Sequence, residues 1–135
     1  MKKYFLSAIF LLTAGVSFPQ TDSLLQWHVT AKKISDSVYE LKATSTVPGG
    51  WHLYGANPNI DGLGNETAQF NYDYENARNT QPVTFSGDLQ QINDPIFENE
   101  KLNIYTGNIT ITQQVEISGI VPEQLKDTIT AFLGR

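Results

Sequence analysis

The chain has 135 residues, 14 acids against 9 Lys and Arg, a formal net charge of −5 and no cysteine. That length holds one domain, and an acidic balance with no basic cluster argues against nucleic acid or anionic lipid as a partner. Without a thiol, residues 1–135 can neither form a disulfide nor carry out thiol chemistry, so the fold must rest on its apolar core.

Residues 1–20 read as a secretory signal peptide. Lys2 and Lys3 give a positive start, residues 4–12 are apolar apart from Ser7, and Thr13, Ala14, Gly15 and Ser17 supply the small-residue exit. The apolar run falls short of the roughly 20 residues a bilayer-spanning helix needs. A buried N-terminal helix is the competing reading, but positive flank, apolar run and small residues stand in the order of a leader. Cleavage is expected between Gly15 and Gln20. No cysteine follows, which excludes a lipid anchor on a new N-terminal Cys. Removal takes away two lysines and no acid, moving the charge from −5 to −7 on residues 21–135. An exported, soluble chain is expected.

The remainder alternates like strands almost throughout. In residues 27–34, Trp27, Val29 and Ala31 share one side, with His28, Thr30 and Lys32 on the other. Asp36 and Ser37 make a turn. Residues 38–47 place Tyr39, Leu41, Ala43 and Val47 on one face, against Glu40, Lys42, Thr44 and Thr46. Shorter strands are predicted at 51–54, 69–74, 83–86 and 102–105. The clearest run is 108–117, where Ile109, Ile111, Val115 and Ile117 alternate with polar residues. This period of two is what a strand with one buried and one wet face requires. A last strand is predicted at 128–133, and residues 122–126 have room for one helical turn at most. Turn chemistry separates these runs at Pro48-Gly49-Gly50, Asn57-Pro58-Asn59, Asp61-Gly62-Leu63-Gly64, Ser86-Gly87-Asp88, Asn93-Asp94-Pro95 and Thr106-Gly107-Asn108. About eight short strands with regular turns predict an all-β sandwich over residues 21–135.

Few residues suggest chemistry. His28 and His52 are the only histidines; His28 falls on a polar strand face, and His52 sits between Trp51 and Leu53 as a packed or edge residue. Residues 61–66 combine oxygens with glycines but match no calcium-loop spacing. Asp73 and Glu75 share a strand face without marking an acid–base pair. No Ser lies in a Gly-x-Ser-x-Gly elbow, and no glycine loop leads into a helix. Asn65-Glu66-Thr67 and Asn108-Ile109-Thr110 fit the N-glycosylation tripeptide. No catalytic residue, metal or cofactor is assigned. Most aromatics are expected in the core. Phe70, Tyr72 and Tyr74 share one parity, and if that face were exposed they would form an aromatic platform for a sugar or peptide.

Three ordered segments resemble the N-terminal periplasmic domain of DsbD-type thiol:disulfide interchange proteins. Residues 27–47, WHVTAKKISDSVYELKATSTV, are similar to its opening β-hairpin. Residues 48–54, PGGWHLY, are similar to its Gly-aromatic-His/Tyr-Leu-Tyr strand. Residues 93–117, NDPIFENEKLNIYTGNITITQQVEI, resemble its Asp-x-x-Phe loop, Ile-Tyr strand and long alternating strand. The resemblance implies an immunoglobulin-like β-sandwich in the periplasm. It also implies a cap loop over residues 94–99, with Asp94 and the shielding side chain Ile96 or Phe97, and contact with a thioredoxin-like protein or a membrane domain. Phe97 would equally serve as ordinary core packing.

The family's cysteine pair has no counterpart here: its first member would follow a strand similar to residues 128–133, about where Gly134 and Arg135 stand. Either a cysteine hairpin lies beyond Arg135, or this is a cysteine-free relative that keeps the fold as a protein- or glycan-binding module. A chain stopping on this strand is expected to leave a sheet edge unpaired.

Overall fold

The computed structural model describes residues 2–11, 18–19, 25–57 and 67–135. The expected calcium-like loop at 61–66 and the first glycosylation asparagine, Asn65, lie outside them. Among these residues ten antiparallel strands form one curled sheet: β1 (Lys2–Leu11), β2 (Phe18–Pro19), β3 (His28–Lys33), β4 (Val38–Val47), β5 (His52–Tyr54), β6 (Ala68–Tyr72), β7 (Ala77–Asn79), β8 (Thr84–Asp94), β9 (Glu100–Ile117) and β10 (Gln124–Gly134). The one helical piece among the described residues is a 3-10 turn at Pro95–Phe97. The fold is all-β and sandwich-like, as the alternation predicts, and strands β3 to β10 fall within residues 21–135.

The 18-residue strand β9 organises the sheet. One edge pairs with β4 from Gly107 to Glu116, then with β5 at Ile104 and Tyr105. Its other edge carries β8 and β7. Beyond β4 lies β3, joined by a tight hairpin in which the Ile34 and Ser35 amides donate to the Val38 carbonyl. The second layer centres on β10, which pairs along one edge with β6 and, at Leu133 and Gly134, with β5. Strand β5 therefore bridges the layers. The other edge of β10, expected to be open, is covered by β1 over ten residues.

The inward faces meet as the alternation requires. Trp27, Val29, Leu41, Ala43, Ile111 and Val115 from the first layer pack with Phe70, Leu125, Ile129 and Leu133 from the second, all at most 1% exposed. Each large apolar side chain buried this way contributes about 1.5–3 kcal/mol. Gln113 occupies an inward position of β9 at 2% exposure, and its amide donates to the Gln81 and Gln114 carbonyls. A buried amide is tolerated only with such partners.

Four sequence expectations change. Thr106-Gly107-Asn108 is not a turn: β9 runs through it, with Gly107 at φ +67°. Ser86-Gly87-Asp88 likewise stays within β8, where the register against β9 shifts between Gly87 and Asp88. The pairing steps from Gly87↔Ile109 to Asp88↔Thr106, so Gly107 and Asn108 are extra residues on β9 and the feature is a β-bulge. Turn-forming residues serve bulges equally well because both need unusual backbone angles. Strand β7 was not anticipated, its three residues being too few to show a period. No helical turn forms at 122–126, since β10 already begins at Gln124.

Candidate functional site

Where β5, β9 and β10 meet, a second small core forms around Tyr54, Leu102 and Ile104, with Ile92, Phe97 and Phe132 packed against it. Tyr54 ends β5 and is fully buried. Its hydroxyl donates to Asp94 Oδ2 at 2.6 Å. Asp94 ends β8 and is 7% exposed, so this charge-assisted bond lies away from bulk water.

Asp94 also begins the loop. Its carbonyl accepts from the Asn99 amide at 2.9 Å, and the Pro95 carbonyl accepts from the Glu98 amide at 3.3 Å. Glu98 and Asn99 both take positive φ, 57° and 58°, closing the turn back into β9. Two successive non-glycine residues in that region cost backbone energy that the surroundings must offset. The turn lays the half-buried Phe97 edge-on against Tyr54, with centroids 5.9 Å apart at 68°. Ile96 has its backbone in the same turn, and its side chain lies outside the described part.

His52 meets Tyr54 from the other side, centroids 5.1 Å apart at 78°. Its Nε2 is buried and makes no hydrogen bond within the protein. Burial lowers the His52 pKa below its ordinary value, partly opposed by the negative charge of Asp94. Burial raises the Tyr54 pKa, reinforced by the bond to Asp94 and its charge, so the phenol remains a donor. The end of β10 closes the site. A Cβ on Gly134 would stand 2.6 Å from both His52 Nε2 and Tyr54 Oη, so only glycine fits without movement. The Arg135 guanidinium lies over the Trp51 ring, 5.0 Å from its centroid.

A polar clip braces this corner. Asn57, 4% exposed, donates to the Gly55 and Asn103 carbonyls and accepts from the Asn103 amide at 2.7 Å. Thr67 Oγ1 donates to the Gly55 carbonyl at 2.7 Å.

Thus the structure gathers Asp94 and Phe97, two of the expected cap-loop residues, and adds Tyr54, His52 and Gly134. The sequence signal for Tyr54 and His52 is the Trp51–Tyr54 segment, which suggests a packed or edge-exposed His52 and no more. Nothing in the sequence linked Tyr54 to Asp94, 40 residues away.

The aromatic platform is corrected. Phe70 is 1% exposed and belongs to the main core. Tyr72 packs against that core with its hydroxyl on Asn79 Oδ1, and Tyr74 lies beyond β6, donating to the Ile120 carbonyl. The parity was right, but the shared face points inward. Asp73 and Glu75 are exposed, as is His28. His28 lines a surface cleft of about 480 Å³ with Thr44, Thr46, Asn108 and Thr110, none of which belongs to the Tyr54 cluster. Among the described residues, no three His, Asp or Glu side chains converge as metal ligands, and no helix is long and apolar enough to cross a membrane.

No family model matches the chain, and no curated protein or solved structure is significantly similar to it.

Proposed function

We propose that this chain is an exported, DsbD N-terminal-like recognition domain that docks a thioredoxin-like protein, or the membrane domain of an interchange protein, through residues 94–99. The observation that carries the reading is the buried Tyr54–Asp94 hydrogen bond. It anchors Asp94 at the start of a strained turn whose far end is tied back by the Asn99 amide on the Asp94 carbonyl, and Phe97 lies between them against Tyr54. An aromatic fixed in advance on a rigid corner is the kind of residue that anchors protein interfaces, because little side-chain entropy remains to be lost on binding.

Residues 1–135 hold no thiol, so recognition rather than electron transfer is the role assigned to them. The leader-like residues 1–20 support an address outside the cytoplasm, where thiol–disulfide partners operate. Calorimetric titration of the purified protein with thioredoxin-like domains tests the reading. Phe97→Ala is expected to weaken binding about tenfold or more, as loss of an interface anchor does. Unchanged affinity in that variant, or no binding by the parent protein, would contradict it. The codons following Arg135 bear separately on redox chemistry: a cysteine pair there would add electron transfer to recognition.

A further inference from the structure

Strand β10 has two paired edges of different origin. Its inner edge is held by β6 and β5, elements of the main body of the sheet. Among the described residues its outer edge is held by Lys2–Leu11 alone, in a regular antiparallel ladder running from Lys2↔Leu133 to Leu11↔Gln124 with no register shift.

The parity of β10 can be read from its bonds. The Phe132 amide donates to the Thr67 carbonyl, and the Thr128 carbonyl accepts from the Asn71 side chain. Even-numbered backbone groups of β10 therefore face β6. The Phe70 carbonyl, opposite Ile129, points away from β10 toward Asn79, as that alternation demands. The odd-numbered residues Leu125, Asp127, Ile129, Ala131 and Leu133 must then turn their amides and carbonyls outward. Their partners in β1 are Phe10, Ala8, Leu6, Tyr4 and Lys2.

We infer that the outer edge of β10 is a strand-addition site: residues 2–11 occupy it in the full chain, and an extended, mainly apolar peptide segment of a partner protein takes it, antiparallel, once they leave. The occupant's chemistry follows from what is seated there. Residues 2–11 are apolar apart from Lys2, Lys3 and Ser7, and carry no acid. A cationic, apolar strand also suits a body whose charge is −7 over residues 21–135. Main-chain bonds along a bare edge supply affinity, and side chains of alternate residues supply selectivity. The inference rests on the leader reading only for the event that empties the edge in the cell. The edge itself rests on the ladder. Its place on β10 is distinct from the Phe97 loop, so the two sites can be tested separately.

The test uses the full chain, with a protease site placed among residues 20–24 and cut after folding. The probe is a fluorescent peptide with the sequence of residues 2–11, added in trans. The cut protein is expected to exchange its own segment for the probe, while the uncut protein excludes it. Probe N-methylated at Tyr4 and Leu6, whose amides face Ala131 and Ile129, should bind at least about tenfold more weakly. Probe N-methylated at Phe5 and Ser7 should bind as the parent does. Equal binding of both methylated probes would show apolar sticking rather than strand pairing, and would overturn the inference. So would failure of the cut chain to take up probe, self-association of the cut chain in place of uptake, or loss of its strand signal in circular dichroism when the segment leaves. N-terminal sequencing of the protein recovered from its host tests the leader separately: an intact Met1 would contradict export processing without touching the edge.

Discussion

Tyr54 and Asp94 do most to define the corner on which recognition is proposed. Tyr54→Phe removes one donor from a buried carboxylate while keeping the ring against Phe97 and His52, and is expected to cost about 1–3 kcal/mol in urea denaturation. Asn57→Ala takes one side chain from three backbone atoms and should cost about 2 kcal/mol or more in the same assay. His52 gives the corner a pH signature. Its folded pKa lies below the ordinary 6.5, mainly through burial, so the unfolded chain binds the proton more readily. The contribution is complete above 6.5 and is lost as pH falls through the lowered folded value. Denaturation midpoints measured downward from pH 7 should therefore fall less steeply in His52→Gln than in the parent. At this scale the sequence was legible where period decided burial: Trp27, Leu41, Ile111 and Val115 all lie where alternation puts them. It was opaque for Asn57, which reads as a turn residue and acts as a clip, and for Gln113, whose inward register needs partners that only the fold supplies.

Among the elements, the bulge between β8 and β9 shows why the strand pattern is legible in the sequence and its punctuation is not. Glycine before Asn or Asp signals any departure from regular backbone, and a hairpin turn and a bulge share that need. Only the long-range register, in which β9 continues through Gly107, separates them. The two bulge glycines should respond differently from Gly49, which has neither a positive φ nor a close neighbour. Gly107→Ala forces a side chain onto φ +67° and is expected to cost about 1 kcal/mol. Gly87→Ala brings a Cβ to 2.7 Å from the Asn108 carbonyl, so the strands must part, at a cost of about 1–3 kcal/mol. Gly49→Ala meets nothing within 4 Å and should stay within about 0.5 kcal/mol of the parent by thermal melting. The segment 69–74 illustrates the same limit: its parity is legible, but which layer lies on its apolar side is not, and Phe70, paired edge to edge with β10, turns inward to the main core.

For the whole molecule, two layers joined through β5 place the Phe97 loop at one corner and the outer edge of β10 along one side. The all-β class was legible because nearly every run has a period of two and none sustains a helical one. The site was half legible. Residues 94–99 were expected to form a cap loop, but the corner that gives the loop its support joins β5, β8, β9 and β10, which are far apart in sequence. The claim that this corner recognises a protein is tested most directly by amide chemical-shift mapping of the isotopically labelled protein during titration with a thioredoxin-like domain. The expected perturbations centre on His52, Tyr54, residues 94–99 and Gly134. Perturbations confined to the cleft around His28 and Asn108, or a spectrum unchanged at saturating partner, would contradict it.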